Sequence, residues 1–505
     1  MSNPPKDLKQ DRDHTLLFWA SFATLIAAGI GFAVRGAIFG DWESQFGFTK
    51  TELGTITGGG LVGFGITIIF FSFFADFLGY KPLMVLAFVL HILSAVVTLA
   101  ATPIYESMKA NPESAKMATY WCLYIGAFLF ALGNGVCEAV INPLTATLFP
   151  KQKTHYLNIL HAGWPGGLII GGLLAYCFCG NDAAISHLRW EIPVAFFLLP
   201  TLFYGVIMLR EEFPESEAKA AGLTTRDMLM EFAAPVLLFL FVLHALVGYV
   251  ELGTDSWITN IMDNVIPGKA ILLFVYTSGL MFILRFFAGP IVERINPIGL
   301  LLVSAILGCC GLLWLSNAND YLPIILAATT YGIGKTFLWP TMLGVVGERF
   351  PKGGALTMGT IGGIGMLSAG LLGGPVIGYL QDYFAAQNLE AKDKAAYVQY
   401  AAKEASSPLP FLPQVKGLDG AKVGDVVRKK EADLTDADKK VLEARLYGGR
   451  QALLYTAAVP AMMAVGYLIL LAYFQMTGGY KQEHLESDKD YPGEKYTGGV
   501  EGPVE

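Results

Sequence analysis

The side chains most able to do chemistry in this chain are charged or amide groups set among apolar neighbours. Arg35 stands in G-F-A-V-R-G-A-I-F, Glu138 is flanked by Cys137, Ala139, Val140 and Ile141, and Lys335 lies in G-I-G-K-T-F-L-W-P. Asn158, His161, His244, Glu251, Asp255 and Arg285 have similar surroundings. Helical spacing sorts them into faces. Glu138 and Asn142 are four apart, Asn158, His161 and Trp164 follow at steps of three, and His244, Glu251 and Asp255 follow at steps of seven and four with Trp257 nearby. A carboxylate in apolar surroundings needs a proton or a cation, which makes Glu138 a candidate proton carrier. An aromatic ring beside hydrogen-bonding groups suits a sugar, whose faces are apolar and whose rim is hydroxylated. Arg35, with Lys335 and His161, suits a carboxylate or phosphate instead. Plainer roles stand beside these: Asn158 and His244 can simply join neighbouring helices, Trp164 before P-G-G can pack at a helix bend, and Arg285 can be an interface arginine.

The elements that must position these residues are unusually apolar. Of 505 residues, 54% are hydrophobic and only 15% charged, and the mean hydropathy is +0.50. That is more apolar surface than a water-soluble fold of this size can hide. The apolar residues gather into runs near the roughly 20 residues needed to cross a bilayer. Twelve spans are predicted at 15–39, 53–74, 82–101, 118–148, 157–178, 192–209, 233–250, 271–292, 298–315, 322–346, 356–384 and 453–474. The expected fold is all-α, with twelve transmembrane helices in two pseudo-symmetric six-helix bundles, residues 1–209 and 229–474. The charged stretch R-E-E-F-P-E-S-E-A-K-A-A-G opens a linker at 210–228, and 475–505 forms a polar tail.

Orientation follows from the basic residues of the short loops. With both termini inside, the inner loops hold Lys81, Lys151, Lys153, Arg210, Lys219, Arg226, Arg294, Arg349 and Lys352, against Lys50, Lys109, Lys116, Arg189 and Lys269 outside. A multi-pass protein of the cytoplasmic (inner) membrane with both termini cytoplasmic is expected. The polar N-terminus carries no small-residue cleavage site, so the first span is read as retained. An outer insertion at 385–450 is long and charged, with Thr435 and Asp438 spaced as a capping box; a tolerated insertion is favoured over a cap. The formal charge of −7 sits largely in loops and tail, and no nucleic-acid partner is implied. The cysteines, Cys122, Cys137, Cys177, Cys179, Cys309 and Cys310, fall in or at the ends of apolar runs without C-x-x-C spacing. No nucleotide loop, metal-ligand cluster or nucleophile–base motif is present, so neither an enzyme nor a cofactor or metal is expected.

The halves echo each other. G-V-C-E-A-V-I-N-P (Gly135 to Pro143) aligns without a gap on G-I-G-K-T-F-L-W-P (Gly332 to Pro340), each followed by F-P-K, which places Glu138 and Lys335 at equivalent depths. S-F-F-A-D-F-L-G-Y-K (Ser72 to Lys81) likewise echoes G-P-I-V-E-R-I-N-P-I (Gly289 to Ile298), with Asn296 in the place of Gly79. These loops resemble the signature loop of the major facilitator superfamily. The resemblance implies an inner gate at Asp76, Gly79, Lys81, Glu293 and Arg294, and transport by alternating access. E-A-V-I-N-P, L-N-I-L-H-A-G-W (Leu157 to Trp164) and Y-V-E-L-G-T-D-S-W (Tyr249 to Trp257) resemble the fucose and hexose proton symporter branch. That branch implies Glu138 as the proton-binding carboxylate and Asn158, His161, Glu251 and Trp257 as sugar contacts. Arg35, Asn142, Trp164, Asp255 and Lys335 complete the candidate set. The branch's best-studied members have an aspartate in the first helix where this chain has Arg35. Arg35 then either pairs with Glu138 or binds an anionic substrate with Lys335. The expected partners are a lipid bilayer, a small-molecule substrate and a coupling proton, and the superfamily implies a monomer. A transporter-fold solute sensor is the third reading.

Overall fold

The computed structural model describes residues 6–48, 50–179, 183–266 and 269–485. The expected tail therefore lies within the described residues only as far as residue 485, and residues 1–5 lie outside them. The chain is helical almost throughout, and ten of the described helices are long and apolar enough to cross a membrane. In order, the first six spans are α1 (Lys6–Ala37), α2 (Lys50–Leu78), α3 (Tyr80–Ser107), α4 (Pro112–Leu148), α5 (Lys153–Phe178) and α6 (Glu191–Arg210). They continue as α7 (Pro235–Asp263), α8 (Ala270–Arg285), α9 (Ala288–Leu315), α10 (Tyr321–Thr336 and, after a break at Phe337, Leu338–Arg349), α11 (Pro351–Lys392) and α12 (Asp436–Met476). The short α8 and the broken α10 bring the ten to twelve.

Packing divides these helices as the repeat predicts. In the first half α1 lies along α5 and α6, and α4 along α2 and α3; in the second, α9 packs on α10 and α12, and α7 on α11. The halves meet where α2 crosses α11 and α5 crosses α8. Along α2, Ile66, Phe70, Phe73 and Phe77 recur at helical spacing and are all exposed. Such a stripe is untenable in water and is what a lipid-facing helix presents. The closest helix contacts are built from glycine: a Cβ on Gly167 of α5 would collide with the Ile26 carbonyl of α1.

The twin loops after α2 and within α9 share one backbone device. Gly79 has φ 82°, and Asn296, in the equivalent place, is the only described non-glycine residue with positive φ, at 54°. Asparagine tolerates this region, and its Oδ1 accepts from the Gly299 amide at 3.0 Å. The substitution of Asn for Gly in the second loop therefore preserves the turn.

The end of the bundle at which α1 begins and α12 ends, the terminal face, is sealed by bonds between the halves. Asp76 accepts from the Ala355 amide at 3.0 Å, Asn158 Nδ2 donates to Thr341 Oγ1 at 3.2 Å, and Thr154 Oγ1 donates to the buried Glu348 carboxylate. Lys153 pairs with Glu217 of the linker at 2.7 Å, and Lys81 donates to the Glu211 carbonyl at 2.9 Å. Glu293 and Arg294, which the sequence reading placed with Asp76 and Lys81, make no such bond among the described residues and lie exposed. The tail then crosses the seal. Tyr480 donates to Glu348 at 2.9 Å in the second half, and Gln482 donates to the Pro150 carbonyl at 2.6 Å in the first. Truncation after Gly479 is expected to loosen this face, so that a cysteine replacing the buried Ala146 is labelled faster by maleimide. Unchanged labelling would show that the tail does not hold the seal.

At the opposite end, residues 385–450 form a folded unit. Leu389, Ala396, Tyr400, Val423, Val426, Val441 and Ala444 make a small separate core. The capping box at Thr435 and Asp438 is present, and Tyr400 donates to Asp438 at 2.6 Å. The unit roofs a cavity of about 920 Å³ whose walls include Gly40, Trp257, Asn260, Asp382, Val427 and Arg445. The preference for a merely tolerated insertion does not anticipate this: the segment is a cap with its own core.

Candidate functional site

Between the halves, on the cap side of the seal, lies a cavity of about 520 Å³. Its wall sets the rings of Phe32, Phe64, Phe130, Trp164 and Phe274 among small alanines and glycines, and its polar groups include Asn134, Ser256 and Thr259. Its charged side chains are Arg35 from α1 and Asp255 from α7. α1 ends at Ala37, so the flexible Arg35 side chain hangs one turn inside the helix end, where the guanidinium lies 3.8 Å above the Phe130 ring. Nη1 donates a long 3.3 Å bond to the Gly31 carbonyl, while Nε and Nη2 are buried without an acceptor. A stacked guanidinium gains cation–π energy of order 1–2 kcal/mol, which does not offset the loss of hydrogen bonds from a desolvated charge.

Glu138 does not supply that acceptor. It lies eight residues beyond Phe130 on α4, about 12 Å along the helix at 1.5 Å per residue. It is buried, and Asn142 Nδ2 donates to its carboxylate at 2.7 Å. Glu138 and Asn142 share a face as their spacing suggests, and Asn142 Oδ1 meets His161 Nε2 at 2.8 Å, so the fold joins Glu138, Asn142 and His161 into one polar line from α4 to α5. Glu138 and His161 lie off the cavity wall, whereas Trp164, one turn on from His161, is part of it.

In the second half two acids on α7 each meet a base. Glu251 pairs with Arg285 at 2.9 Å, and Asp255 with Lys335; all four side chains are buried. A wide π-turn at Tyr249–Gly253, packed through Gly253 against its counterpart at Ala369–Gly373, carries Glu251 at its centre. Arg285 has a further task. Proline at position i leaves the carbonyl at i−4 without its helical donor. Pro165 frees His161 O and Pro340 frees Thr336 O. Arg285 donates to these two carbonyls, at 2.6 and 2.7 Å, one from each half. The break at Phe337 follows from the same missing bond.

Of the remaining sequence candidates, Trp257 donates to the Gly374 carbonyl at 2.8 Å and faces the cavity under the cap, and Asn158 belongs to the seal. His244 lies against Trp339 with both ring nitrogens unpartnered. Two residues escaped the sequence reading. Asn134, on the cavity wall, stands one turn before Glu138 on the same face, and this i−4 spacing was available as a signal. His91 holds Asn134 at 3.0 Å and Tyr204 at 2.7 Å, and only the fold brings these three helices together.

No curated protein matches the chain in sequence. Solved structures resemble it over almost their whole length. The E. coli fucose:proton symporter FucP superposes with TM-score 0.56 at 16% identity, covering 88% of this chain and 98% of that one. The proton:xylose symporter XylE gives 0.63 at 13% identity, covering 94% and 98%. The human organic anion transporter TETRAN gives 0.57 at 14% identity, covering 92% and 100%. At such identities these likenesses establish a shared fold. The sequence itself matches the profile of the Major Facilitator Superfamily over residues 17–375. With two six-helix halves around a central cavity, the chain belongs to the Major Facilitator Superfamily and is a membrane transporter rather than an enzyme.

Proposed function

We propose that the protein carries a small organic anion, a carboxylate on a ring-sized and partly apolar body, together with a proton, by alternating access. The observation that carries this reading is the Arg35 guanidinium, desolvated against Phe130 on the cavity wall with Nε and Nη2 unsatisfied. Turned off the Phe130 ring towards the cavity, these nitrogens would supply the planar fork that a carboxylate fits. The surrounding rings suit an apolar or sugar-like body, and Asn134, Ser256 and Thr259 offer hydrogen bonds to its rim. The basic inner loops support a cytoplasmic terminal face, so the sealed state takes its cargo from the cap side.

Proton coupling rests on Glu138. Its carboxylate has one amide donor and no cation, so a proton is the partner that lets it stay inside the protein through the transport cycle. An anion on Arg35 and a proton on Glu138 together leave the first half without unbalanced charge. The cargo is then electroneutral.

A neutral hexose is the second reading, favoured by the aromatic wall, and Arg35 separates the two. Thermal unfolding of the purified protein should rise with glucuronate and phenylacetate and stay unchanged with glucose and phenylacetamide. Stabilisation by glucose equal to that by glucuronate would favour the neutral sugar.

A further inference from the structure

The central cavity has one charge of each sign on its wall, yet only one is free. Asp255 faces the cavity, but its Oδ1 is taken by Lys335 Nζ from α10, a side chain with no exposed surface that lies behind the wall and 5.4 Å from the Tyr331 ring. Tyr331 is itself fixed by donating to the Val250 carbonyl at 2.9 Å, so the ammonium is held on Asp255 by a rigid backing. Arg35 has no such counter-ion. Without Lys335 the cavity would present a guanidinium and an opposing carboxylate, a receptor for a zwitterion. With it, the cavity presents a single uncancelled positive charge.

We propose that Lys335 determines the charge class of the cargo: by neutralising Asp255 it makes the cavity a site for anions, and its removal converts the same cavity into a site for zwitterions. The proposal deepens the organic-anion reading and rests on it for the identity of the cargo, but the electrostatic claim can be measured without any cargo. Neutralising the ammonium behind Asp255 changes the cavity by one full charge. At about 8 Å and an effective dielectric constant of about 40, between protein and bulk water, each ion is affected by a factor of about six in opposite directions, so the local preference between an anion and a cation shifts by roughly 10- to 100-fold.

The test places a reporter thiol beside the pair. Ser256 is exposed on the cavity wall and adjoins Asp255. In a Ser256→Cys background the rates of modification by an anionic and a cationic methanethiosulfonate of similar size are compared at one fixed alkaline pH. The anion-to-cation rate ratio should exceed that of a free thiol. Lys335→Met should lower it by roughly 10- to 100-fold, Asp255→Asn should raise it, and the Lys335→Met/Asp255→Asn double variant should return it to the starting value. The double variant separates charge from folding damage, because it removes both members of the pair. An unchanged ratio in Lys335→Met, with a folded double variant as control, would overturn the proposal. A ratio that responds as stated while glucuronate and phenylacetate fail to bind would sink the organic-anion reading and leave the charge assignment intact. In uptake assays the same Lys335→Met change should exchange preference for 3-phenylpropionate for preference for phenylalanine, the same body with an added ammonium. Retained preference for 3-phenylpropionate would count against a role in selectivity.

Discussion

Replacing Arg35 by glutamine is expected to weaken binding of a carboxylate cargo by roughly 30-fold to several thousand-fold. Truncating one partner of a desolvated, hydrogen-bonded charge pair costs about 2–5 kcal/mol, and each 1.4 kcal/mol is a factor of ten. Lysine should rescue only part of this loss, since a point charge cannot reproduce two parallel N–H donors on one carboxylate. The same substitution should leave the empty protein as stable or more stable, because Nε and Nη2 of Arg35 are buried without acceptors and the charge is desolvated for no structural return. Lost binding with retained or raised melting temperature is therefore the signature of a cargo site. A fall in melting temperature together with binding would assign Arg35 to the architecture. Binding titrations and thermal unfolding of Arg35→Gln and Arg35→Lys distinguish the two.

The second large effect concerns Glu138. In Glu138→Gln the side chain keeps an oxygen to accept from Asn142 Nδ2, so the line through Asn142 to His161 survives and folding should be nearly unaffected. What is lost is the group that exchanges a proton. Proteoliposomes carrying the variant should still exchange labelled for unlabelled anion but should no longer accumulate it under an imposed pH gradient, whereas wild type should accumulate it by up to about tenfold per pH unit, since one proton moving down one pH unit supplies about 1.4 kcal/mol. Because the paired cargo is electroneutral, an imposed membrane potential should leave wild-type accumulation unchanged. Persistent pH-driven accumulation in the variant would remove Glu138 from the coupling.

Much of this arrangement was legible from spacing alone. Steps of three and four placed Glu138 with Asn142 and His161 with Trp164, because residues on one helical face stay together whatever the tertiary fold. The internal repeat made Asn296 the counterpart of Gly79, and both have positive φ. Pairing across helices was not legible. Arg35 and Glu138, opposite in charge and both in the first half, do not meet, because Arg35 stacks on Phe130, eight residues from Glu138 along α4, while Asp255 and Lys335, 80 positions apart, do meet. Which acid takes which base depends on helix crossings that composition and period do not encode. Arg285 illustrates a signal that was present but unused. Pro165 and Pro340 each announce an orphaned carbonyl four residues earlier, and one arginine satisfies both. The cap was under-read for a related reason: its core joins Leu389 and Val441, from the cap-side ends of α11 and α12, to Tyr400 and Val426 on two short helices, and a short amphipathic helix does not reveal its partner.

The central claim is that the cavity recognises a negative charge through Arg35. Its most direct measurement is the affinity of the purified protein for a carboxylate and its uncharged counterpart, glucuronate beside glucose, in wild type and in Arg35→Gln. The account predicts that wild type prefers the acid by at least tenfold and that the preference vanishes in the variant. Equal affinity for both in wild type, or a preference for the acid that survives loss of the guanidinium, would contradict it.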